Sequence, residues 1–412
     1  MRVLSLLLAV CACAVPTLAA ENWPEFRGPR GDGTSTSVGL PTEWSETEHI
    51  KWKTPIHDRG WSSPVIWNQQ IWLTTATRDG KQLFAVCVDR DTGKITHDLL
   101  LFEIAEPQFC HAFNSYASPT PAIEEGRVYV HFGSAGTACI DTETGKTLWT
   151  RQDLPCNHFR GAGSSPILYG NLLVVAYDGF DFNYVVAFDK RTGKTAWQRD
   201  RNIAYENDDG DQHKAYCTAQ IIEVDGRPQL VYPSAGATIA YEPNTGEEIW
   251  RVQHGGMNAA ARPLFGNGRL YLNTADGGFK LFALRTGGTG DVTDTHVEWK
   301  CKEGVPSRPS QLLIGERIFM VHDRGVATCL DANTGKPIWQ KRLGGDFSAS
   351  PVSAAGKIYF PSQDGRTFVV AADDNFQLLA TNTLDIGCMA SPAVYDKALF
   401  LRTEANLYRI ED

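Results

Sequence analysis

Short stretches of alternating apolar and polar residues follow one another along most of the chain. Residues 127–130 (RVYV) and 357–360 (KIYF) are two examples, and a glycine precedes each of them. Alternation with a period of two, together with enrichment in β-branched and aromatic residues, predicts β-strands, and the Gly, Asn and Asp pairs between them predict tight turns. The 3.6-residue period of helical repeats is absent from these units. The pattern therefore predicts an all-β chain.

One phrase recurs along the chain: a short apolar strand that ends in an acidic residue, then Thr-Gly, then Trp. Four clear copies end at Trp149, Trp197, Trp250 and Trp339. Weaker copies lie at 87–93, 283–287 and 371–373. A second phrase, a residue that is usually small followed by Pro, precedes most of the copies. The copies are spaced by roughly 40–50 residues, a period typical of propeller blades with four strands each.

Counting these units predicts eight blades. Seven units are complete, and an eighth begins near Cys388 and ends at Asp412 after about three strands. Residues 50–55 resemble an outer strand, with Trp52 at the position of the repeat Trp, and would complete this blade. The expected fold is an all-β, eight-bladed β-propeller of four-stranded antiparallel blades, closed by an N-terminal strand that leaves few free strand edges. Seven blades is the alternative.

The first residues have the layout of a secretory signal peptide. Arg2 precedes an apolar run over 3–15, and small residues follow at Thr17, Ala19 and Ala20. The run is shorter than the roughly 20 apolar residues of a membrane span, and no second spanning segment follows. A lipoprotein attached through Cys11 or Cys13 is the alternative. We expect a signal peptide at 1–20, an N-terminal extension at 21–47, a propeller at 48–412, and a periplasmic or secreted location.

Composition limits the class of partner. The chain is 42% hydrophobic with a net charge of −9, and it has no basic run. Nucleic acids need clustered Lys and Arg, so a nucleic-acid partner is not expected. The expected partner is therefore a protein or a small polar or anionic ligand. We also expect a monomer.

The strand-Asp-x-x-Thr-Gly-x-x-x-Trp phrase resembles the pyrroloquinoline-quinone (PQQ) repeat over nearly all of the mature chain. That repeat is shared by quinoprotein alcohol dehydrogenases and by the lipoprotein subunit of the outer-membrane barrel-assembly machine. The opening at 23–33 (WPEFRGPRGDG) is similar to the start of secreted bacterial PQQ-like propellers of uncharacterised function. The resemblance implies that the repeat tryptophans dock each blade onto the next, as large buried indoles can: Trp149, Trp197, Trp250 and Trp339.

In the dehydrogenases the quinone lies over a Trp and beneath a disulfide of adjacent cysteines, beside a Ca²⁺ ion held by Glu, Asn and Asp, with an Asp as base. This chain has no adjacent cysteines in its mature part, no Cys-x-x-Cys-His haem motif and no long insertions. No cofactor and no catalytic residue are therefore predicted. The expected function is an exported, non-catalytic binding or scaffold propeller, and the alternative is a PQQ- and Ca²⁺-dependent dehydrogenase-like quinoprotein with a cofactor site in the central funnel.

The first strand of each blade lines the axis of a propeller, which makes the residue before its Pro comparable between blades. Arg262 and Arg308 stand at that position in two neighbouring blades. It is Ser in five others: Ser63, Ser118, Ser165, Ser350 and Ser391. Two guanidinium groups facing one cavity would bind a carboxylate, phosphate or quinone-like anion. The alternatives are that they pair with acids such as Asp346 or Asp323, or point to solvent.

The loops that enter blades two and three contain a cluster of polar side chains suited to a binding rim: His111, Asn114, Tyr116, His158 and Arg160. An exposed loop without a binding role is the alternative, as it is for a calcium loop at 206–211.

Two predictions concern cysteines. Cys87, Cys139 and Cys329 share one repeat position with alanines of other blades, which predicts a small buried slot. Cys110 and Cys156 are the first pair to test for a disulfide.

Overall fold

The computed structural model describes residues 20–205, 207–384 and 387–412. Within them, eight sheets of four antiparallel strands form the ring, two of which gain a short parallel strand. The eight-bladed β-propeller is therefore confirmed and the seven-bladed alternative is wrong. All but the last residue of the expected signal peptide lies outside the described residues. In the part of the chain that is described, no helix is long and apolar enough to cross a membrane.

Each blade runs from a short inner strand to an outer strand. The strands of blades 1 to 4 are Val65–Trp67, Gln70–Ala76, Gln82–Asp89 and Ile95–Glu103; Ala122–Glu124, Arg127–His131, Thr137–Asp141 and Thr147–Arg151; Ile167–Tyr169, Leu172–Asp178, Asn183–Asp189 and Thr195–Asp200; Gln220–Val224, Arg227–Pro233, Ala237–Tyr241 and Glu248–Gln253.

The strands of blades 5 to 8 are Leu264–Gly266, Arg269–Asn273, Leu281–Arg285 and Val297–Cys301; Leu312–Ile314, Arg317–Val321, Val326–Asp331 and Pro337–Arg342; Val352–Ala354, Lys357–Pro361, Arg366–Ala371 and Leu378–Thr383; Ala393–Tyr395, Ala398–Arg402, Asn406–Ile410 and, from the start of the chain, Ile50–Pro55. Thr34–Ser35 adds a parallel strand to blade 7 and Gly290–Asp291 adds one to blade 4. A short 3₁₀-helix (Gly210–His213) and a short α-helix (Thr293–His296) lie in connections.

The two ends of the chain close the ring, as predicted. Ile50–Pro55 pairs antiparallel with Asn406–Ile410, and Trp52 lies opposite Arg409. The indole N–H of Trp52 donates to the backbone carbonyl of Arg90 in blade 1, at 2.9 Å. Blade 8 is thus joined to blade 1 through a strand that comes from the start of the chain.

Repeat tryptophans lie between neighbouring blades. The indole N–H of Trp149 donates to the carbonyl of Lys190 in the next blade at 3.0 Å, and Trp197 and Trp339 make the same bond to the carbonyls of Pro243 and Asp373. In each case the accepting carbonyl belongs to a residue that lies one or two positions after the third strand of the next blade.

Trp250 differs, because blade 5 lacks the Asp-x-x-Thr-Gly turn. Its N–H donates to Gln229 of its own blade at 2.9 Å. Its buried ring packs in one apolar cluster with Leu270 and Leu284 of blade 5 and with Val292 of the inserted segment. The contact with the next blade is therefore made by apolar packing.

The predicted cysteine slot is confirmed. Cys87, Cys139 and Cys329 are fully buried in the third strands of their blades. Cys139 pairs with Trp149 of the outer strand, and Cys329 pairs with Trp339. In blades 3, 4 and 5 an alanine occupies the position of these cysteines. A small side chain is needed there because a large aromatic ring occupies the neighbouring space.

The Cys110–Cys156 disulfide expected as a candidate is not formed, since both thiols are free. Cys110 contacts the carbonyl of Arg160 at 3.7 Å, whereas the sulfur of Cys156 lies 3.8 Å from Nδ1 of His158. The two sulfur atoms therefore have different neighbours.

The indole contact makes a prediction about the Thr-Gly turn. Gly193 and Gly226 have almost the same backbone, with φ of 71° and 72°. A Cβ on Gly193 would lie 2.7 Å from the Trp149 ring, whereas one on Gly226 would meet nothing within 4 Å. We expect Gly226→Ala to lower the free energy of unfolding by about 1–2 kcal/mol, from the left-handed backbone alone. Gly193→Ala should cost about 1–3 kcal/mol more through overpacking.

Urea unfolding of both variants measures the difference. Equal losses in Gly193→Ala and Gly226→Ala would show that the indole does not constrain the turn.

Candidate functional site

A segment near the start of the chain, residues 23–35, lies across one end of the central channel, and we call it the plug. Trp23 forms a two-bond bridge with Ile66 of blade 1, at 2.9 and 2.8 Å. The carbonyl of Pro24 accepts from Ile123 of blade 2, and that of Gly33 accepts from Ser353 of blade 7. Arg262, at the inner strand of blade 5 opposite blade 1, also binds this segment. Because its contacts reach both sides of the ring, the plug closes the channel at this end.

Arg27 is the most buried charge of the plug. Its guanidinium donates to the backbone carbonyls of Asp32, Gln311 and Pro351, and so ties the plug to blades 6 and 7. Burial lowers the pKa of Arg27 to about 9, although the nearby Asp32 acts in the opposite direction. A buried cation that donates to three carbonyl oxygens holds the plug through several directed bonds at once.

Arg262, one of the two predicted channel arginines, also holds the plug. Its side chain is 2% exposed, forms an ion pair with Glu25 at 2.7 Å and donates to the carbonyl of Phe26. It borders a second space of about 510 Å³ on the far side of the plug. Arg262 therefore pairs with an acid, which was one of the predicted alternatives. The acid is Glu25, however, and neither Asp346 nor Asp323.

A belt of hydroxyl groups joins the inner strands of the blades. In seven of the eight junctions, a backbone N–H of one blade donates to a Ser or Thr hydroxyl oxygen of the next, at 2.9–3.1 Å. The residues of the belt are Ser63, Thr120, Ser165, Thr218, Ser310, Ser350 and Ser391, with Arg262 at the remaining position. The junction between blades 4 and 5 lacks the bond because Arg262 has no hydroxyl oxygen.

The belt corrects the sequence alignment in two blades. Ser118 and Arg308 were aligned with Arg262, but Thr120 and Ser310 occupy the equivalent positions. The residue before Pro is a misleading guide in these two blades. Residues 118–121 contain two Ser/Thr-Pro steps, and in 308–310 an Arg-Pro step precedes the serine. Arg262 and Arg308 are therefore not at equivalent positions.

Above the belt lies a cavity of about 950 Å³ that opens at the starts of the inner strands. All eight blades contribute to its wall, and Phe26 of the plug lines it as well. Six belt residues face it: Ser63, Thr120, Ser165, Thr218, Ser350 and Ser391. The cavity is blind, since the plug closes the channel below it.

Arg308, the second predicted arginine, does line this cavity. Its Nε lies 2.9 Å from an oxygen of Asp323, and its guanidinium lies 4.5 Å from the ring centre of Phe113. Its side chain is 39% exposed, so part of the guanidinium remains accessible. Pairing with Asp323 was one of the alternatives stated from the sequence.

Three of the predicted rim residues also line the cavity: His111, Asn114 and Arg160. The amide of Asn114 donates to the carbonyl of Arg160 at 2.9 Å, which joins the two loops. Arg160 forms an ion pair with Asp211 at 2.8 Å, and His111 is exposed.

The other two rim residues lie outside the cavity wall. Tyr116 donates its hydroxyl to the carbonyl of Gln108 at 2.7 Å. His158 is buried, and its Nε2 accepts from the N–H of Ser134 at 3.0 Å. The structure therefore groups His111, Asn114, Arg160 and Arg308 but leaves Tyr116, His158 and Arg262 elsewhere.

The wall residues that were not found from the sequence include an acid and an aromatic group: Asp276 and Tyr216. Asp323 and Asp346, which also line the cavity, were expected only as possible partners of the arginines. Asp276 and Asp323 occupy the turns between the second and third strands of blades 5 and 6, one and two residues before a glycine respectively. A comparison of these turns between blades would have found both. Tyr216 lies in an irregular connection that has no repeat to guide an alignment.

The donor set of the cavity does not match the one implied for PQQ and Ca²⁺. Trp61 lines the cavity, but the Arg59 guanidinium lies 4.7 Å from its ring centre. Asp276 accepts from Asn258 and Ser307, and Asp323 accepts from Ser307 and pairs with Arg308. Among the described residues, no three His, Cys, Asp or Glu side chains are placed to hold a metal ion, including around the described part of the acidic loop, 207–211.

The fold, the indole contacts and the axial cavity define a PQQ-type repeat propeller. Comparison with known families agrees, with matches at residues 42–199, 181–305 and 296–387. The chain belongs to this family of PQQ-type repeats, which is described as outer membrane protein assembly factor BamB.

Individual relatives point to two kinds of protein. An outer membrane protein assembly factor BamB from Kangiella koreensis is 26% identical over 192 residues, 42% of this chain and 45% of that protein. A quinoprotein ethanol dehydrogenase from Pseudomonas aeruginosa is 29% identical over 138 residues, 31% of this chain and 21% of that protein. This chain thus aligns with less than half the length of either relative.

Among solved structures, a europium-containing methanol dehydrogenase superposes with a TM-score of 0.65 at 13% identity. The superposition covers 94% of this chain and 90% of that one. At this identity the similarity concerns the fold alone.

The anchoring of the plug by Arg262 can be tested by removing its charge. Arg262→Met leaves the Glu25 carboxylate and the Phe26 carbonyl without their donor in a buried place. We expect the free energy of unfolding to fall by about 3 kcal/mol, as for other broken buried pairs. Adding Glu25→Gln should recover part of the loss.

Arg317→Met is the matched control, because Arg317 forms its ion pairs with Asp331 and Asp374 at the surface. Its loss should stay below about 1 kcal/mol. Equal effects in the two variants would contradict the anchoring role.

Buried histidines predict how stability depends on pH. Burial lowers the pKa of His158 to about 4 and that of His131 to about 3. The unfolded chain therefore binds protons more readily, and stability is fully present above about pH 6.5 and declines as the pH falls toward 4. At pH 5 each group should cost about 2 kcal/mol.

Urea unfolding between pH 7 and pH 4.5 measures the decline. His158→Gln should make it shallower, whereas His111→Gln on the exposed rim should follow the wild type. A decline in His158→Gln as steep as in the wild type would contradict the assignment.

Proposed function

We propose that the protein is an exported, non-catalytic binding propeller that takes a small polar or anionic ligand in its blind axial cavity. Family membership supports a propeller of the BamB or dehydrogenase type, and both kinds appear among the relatives. The features of the cavity favour binding over oxidation, because they offer hydrogen-bond donors instead of the calcium ligands of a quinoprotein.

The hydroxyl groups of the belt are the observation that supports this proposal. Each of the six hydroxyl groups that face the cavity accepts a backbone N–H, and none donates to another residue within the described ranges. Each therefore has a hydrogen left to donate to a guest. A ring of donors pointing toward one axis suits a ligand rich in acceptor oxygens.

The wall above the belt gives the site its charge. Arg308 and Arg324 line it, and Arg324 has no side-chain ion pair or hydrogen bond to any described residue. A carboxylate or phosphate group can share Arg308 with Asp323, since a guanidinium has five donors. Phe113 and Tyr216 offer apolar surface beside these polar groups.

Export and a monomeric state belong to the same proposal. The signal-like segment at 1–20 supports secretion into the periplasm or beyond. A relative named as an outer membrane assembly factor supports a location outside the cytoplasm and a scaffold role with a protein partner. The closed ring supports a monomer, because no blade needs a strand from another chain.

Anion-dependent thermal stabilisation tests the cavity. Citrate and inorganic phosphate are titrated separately into the mature protein, and we expect at least one to raise the melting temperature saturably. Arg308→Ala should weaken that apparent affinity by about tenfold, the loss of one charge-assisted contact.

Arg191→Ala, an exposed arginine in a Thr-Gly turn, is the control and should behave as the wild type. An unchanged response in Arg308→Ala would contradict the site, as would the absence of any saturable response to either anion. Turnover in dye-linked alcohol oxidation with added PQQ and Ca²⁺ would contradict the non-catalytic role.

A further inference from the structure

Beside the cavity mouth, three phenylalanines from three loops have neighbouring rings, and a fourth lies on the same loop as Phe180; we call this exposed set the aromatic ridge: Phe109, Phe159, Phe180 and Phe182. The exposed fractions of Phe109, Phe180 and Phe182 are 60%, 38% and 46%. The ring centre of Phe159 lies 5.9 Å from that of Phe109 and 5.4 Å from that of Phe180. Clustered exposed aromatic rings of this kind mark contact surfaces more often than scattered ones do.

Hydrogen bonds hold the ridge in place. The N–H of Phe159 donates to Oδ1 of Asn157 at 2.9 Å, and the N–H of Phe180 donates to the Asn157 carbonyl at 2.8 Å. The N–H of Asn157 donates in turn to Asp181 at 2.7 Å. Phe159 has a φ of 56°, a left-handed backbone that costs a bulky residue about 1–3 kcal/mol. The loops are therefore fixed with their rings side by side.

The border of the ridge is acidic. Exposed carboxylates lie on the same loops at Glu106 and Asp181, and Asp208 and Asp209 precede Gly210, which packs against Phe180. Two cations lie by the Phe159 ring, Arg160 and Lys214, and both form ion pairs with Asp211. The side chain of Lys214 is fully buried beneath Phe159, so it adds little positive charge at the surface. The ridge thus combines apolar rings with a surplus of negative charge.

From this combination we infer that the aromatic ridge docks a partner polypeptide segment in which apolar side chains alternate with Lys or Arg. The rings would bury the apolar side chains, and the carboxylates would meet the cations around them. A second copy of this chain would bring the same acidic border against itself, and an anionic lipid surface would also be repelled. This surface is separate from the cavity, and it depends on different residues.

A labelled synthetic peptide tests the inference. Fluorescence anisotropy compares a short peptide of alternating Leu and Lys with a matched peptide of alternating Leu and Glu, on the full mature protein. We expect saturable binding of the Lys peptide and none of the Glu peptide. Combining Phe109→Ser, Phe180→Ser and Phe182→Ser should weaken binding at least about tenfold.

Two further variants separate the apolar and charged contributions. Glu106→Gln with Asp208→Asn should weaken binding about threefold and reduce its dependence on salt. Leu378→Ser with Leu379→Ser removes similarly exposed apolar side chains from the outer strand of blade 7 and should leave binding unchanged. Circular dichroism of each variant confirms that the propeller is folded, and Phe159 is left intact because its ring covers Lys214.

The outcomes that overturn the inference are distinct. If the triple Phe variant binds the Lys peptide as tightly as the wild type does, the ridge does not form the contact. If both peptides bind equally, the carboxylates do not contribute to recognition. Binding to phosphatidylcholine vesicles without peptide binding would assign the ridge to lipid. A dimer in sedimentation that the triple variant loses would assign it to a second copy. Arg308→Ala should leave peptide binding unchanged, so a failure of the cavity proposal is seen separately.

Discussion

The structure depends on the contact of a large aromatic ring with a glycine of the next blade. A four-stranded sheet this small has no core of its own, and each blade becomes stable only by covering its neighbour's face. Trp149 lies on Gly193, and Trp52 lies in the same way on Gly93 across the point where the chain's ends meet. Around most of the ring, the outer strand of one blade is therefore fixed to the turn of the next.

Near the axis a second kind of contact takes over. There the strands are short and close together, so large rings do not fit, and single backbone-to-hydroxyl bonds connect the blades instead. The junction that lacks this bond is also the one where Arg262 reaches down to the plug. The loss of one link in the belt thus coincides with the attachment of the segment that closes the channel, and the cavity above gains its floor.

The sequence was informative where the structure repeats and uninformative where it does not. The tryptophans, the cysteine slot and the closing strand follow from the register of the repeat, so blade number and ring closure could be predicted. Arg308 was misaligned because its Arg-Pro step comes two residues before the equivalent residue, Ser310. The plug could not be predicted, because its contacts join residues far apart in sequence and its segment has no repeat partner. The aromatic ridge was likewise missed, since its rings come from irregular loops that approach each other only after folding.

The pairing of Ile50–Pro55 with Asn406–Ile410 has a consequence for the order of events when the protein is made. The early strand leaves the ribosome long before its partner exists, and blade 8 cannot form until the last residues arrive. Until then the ring stays open, and the faces of blades 1 and 7 remain exposed to water. Contacts between such distant segments form slowly. The unfinished chain therefore cannot reach its final packing early, and completion of the fold waits for Asn406–Ile410.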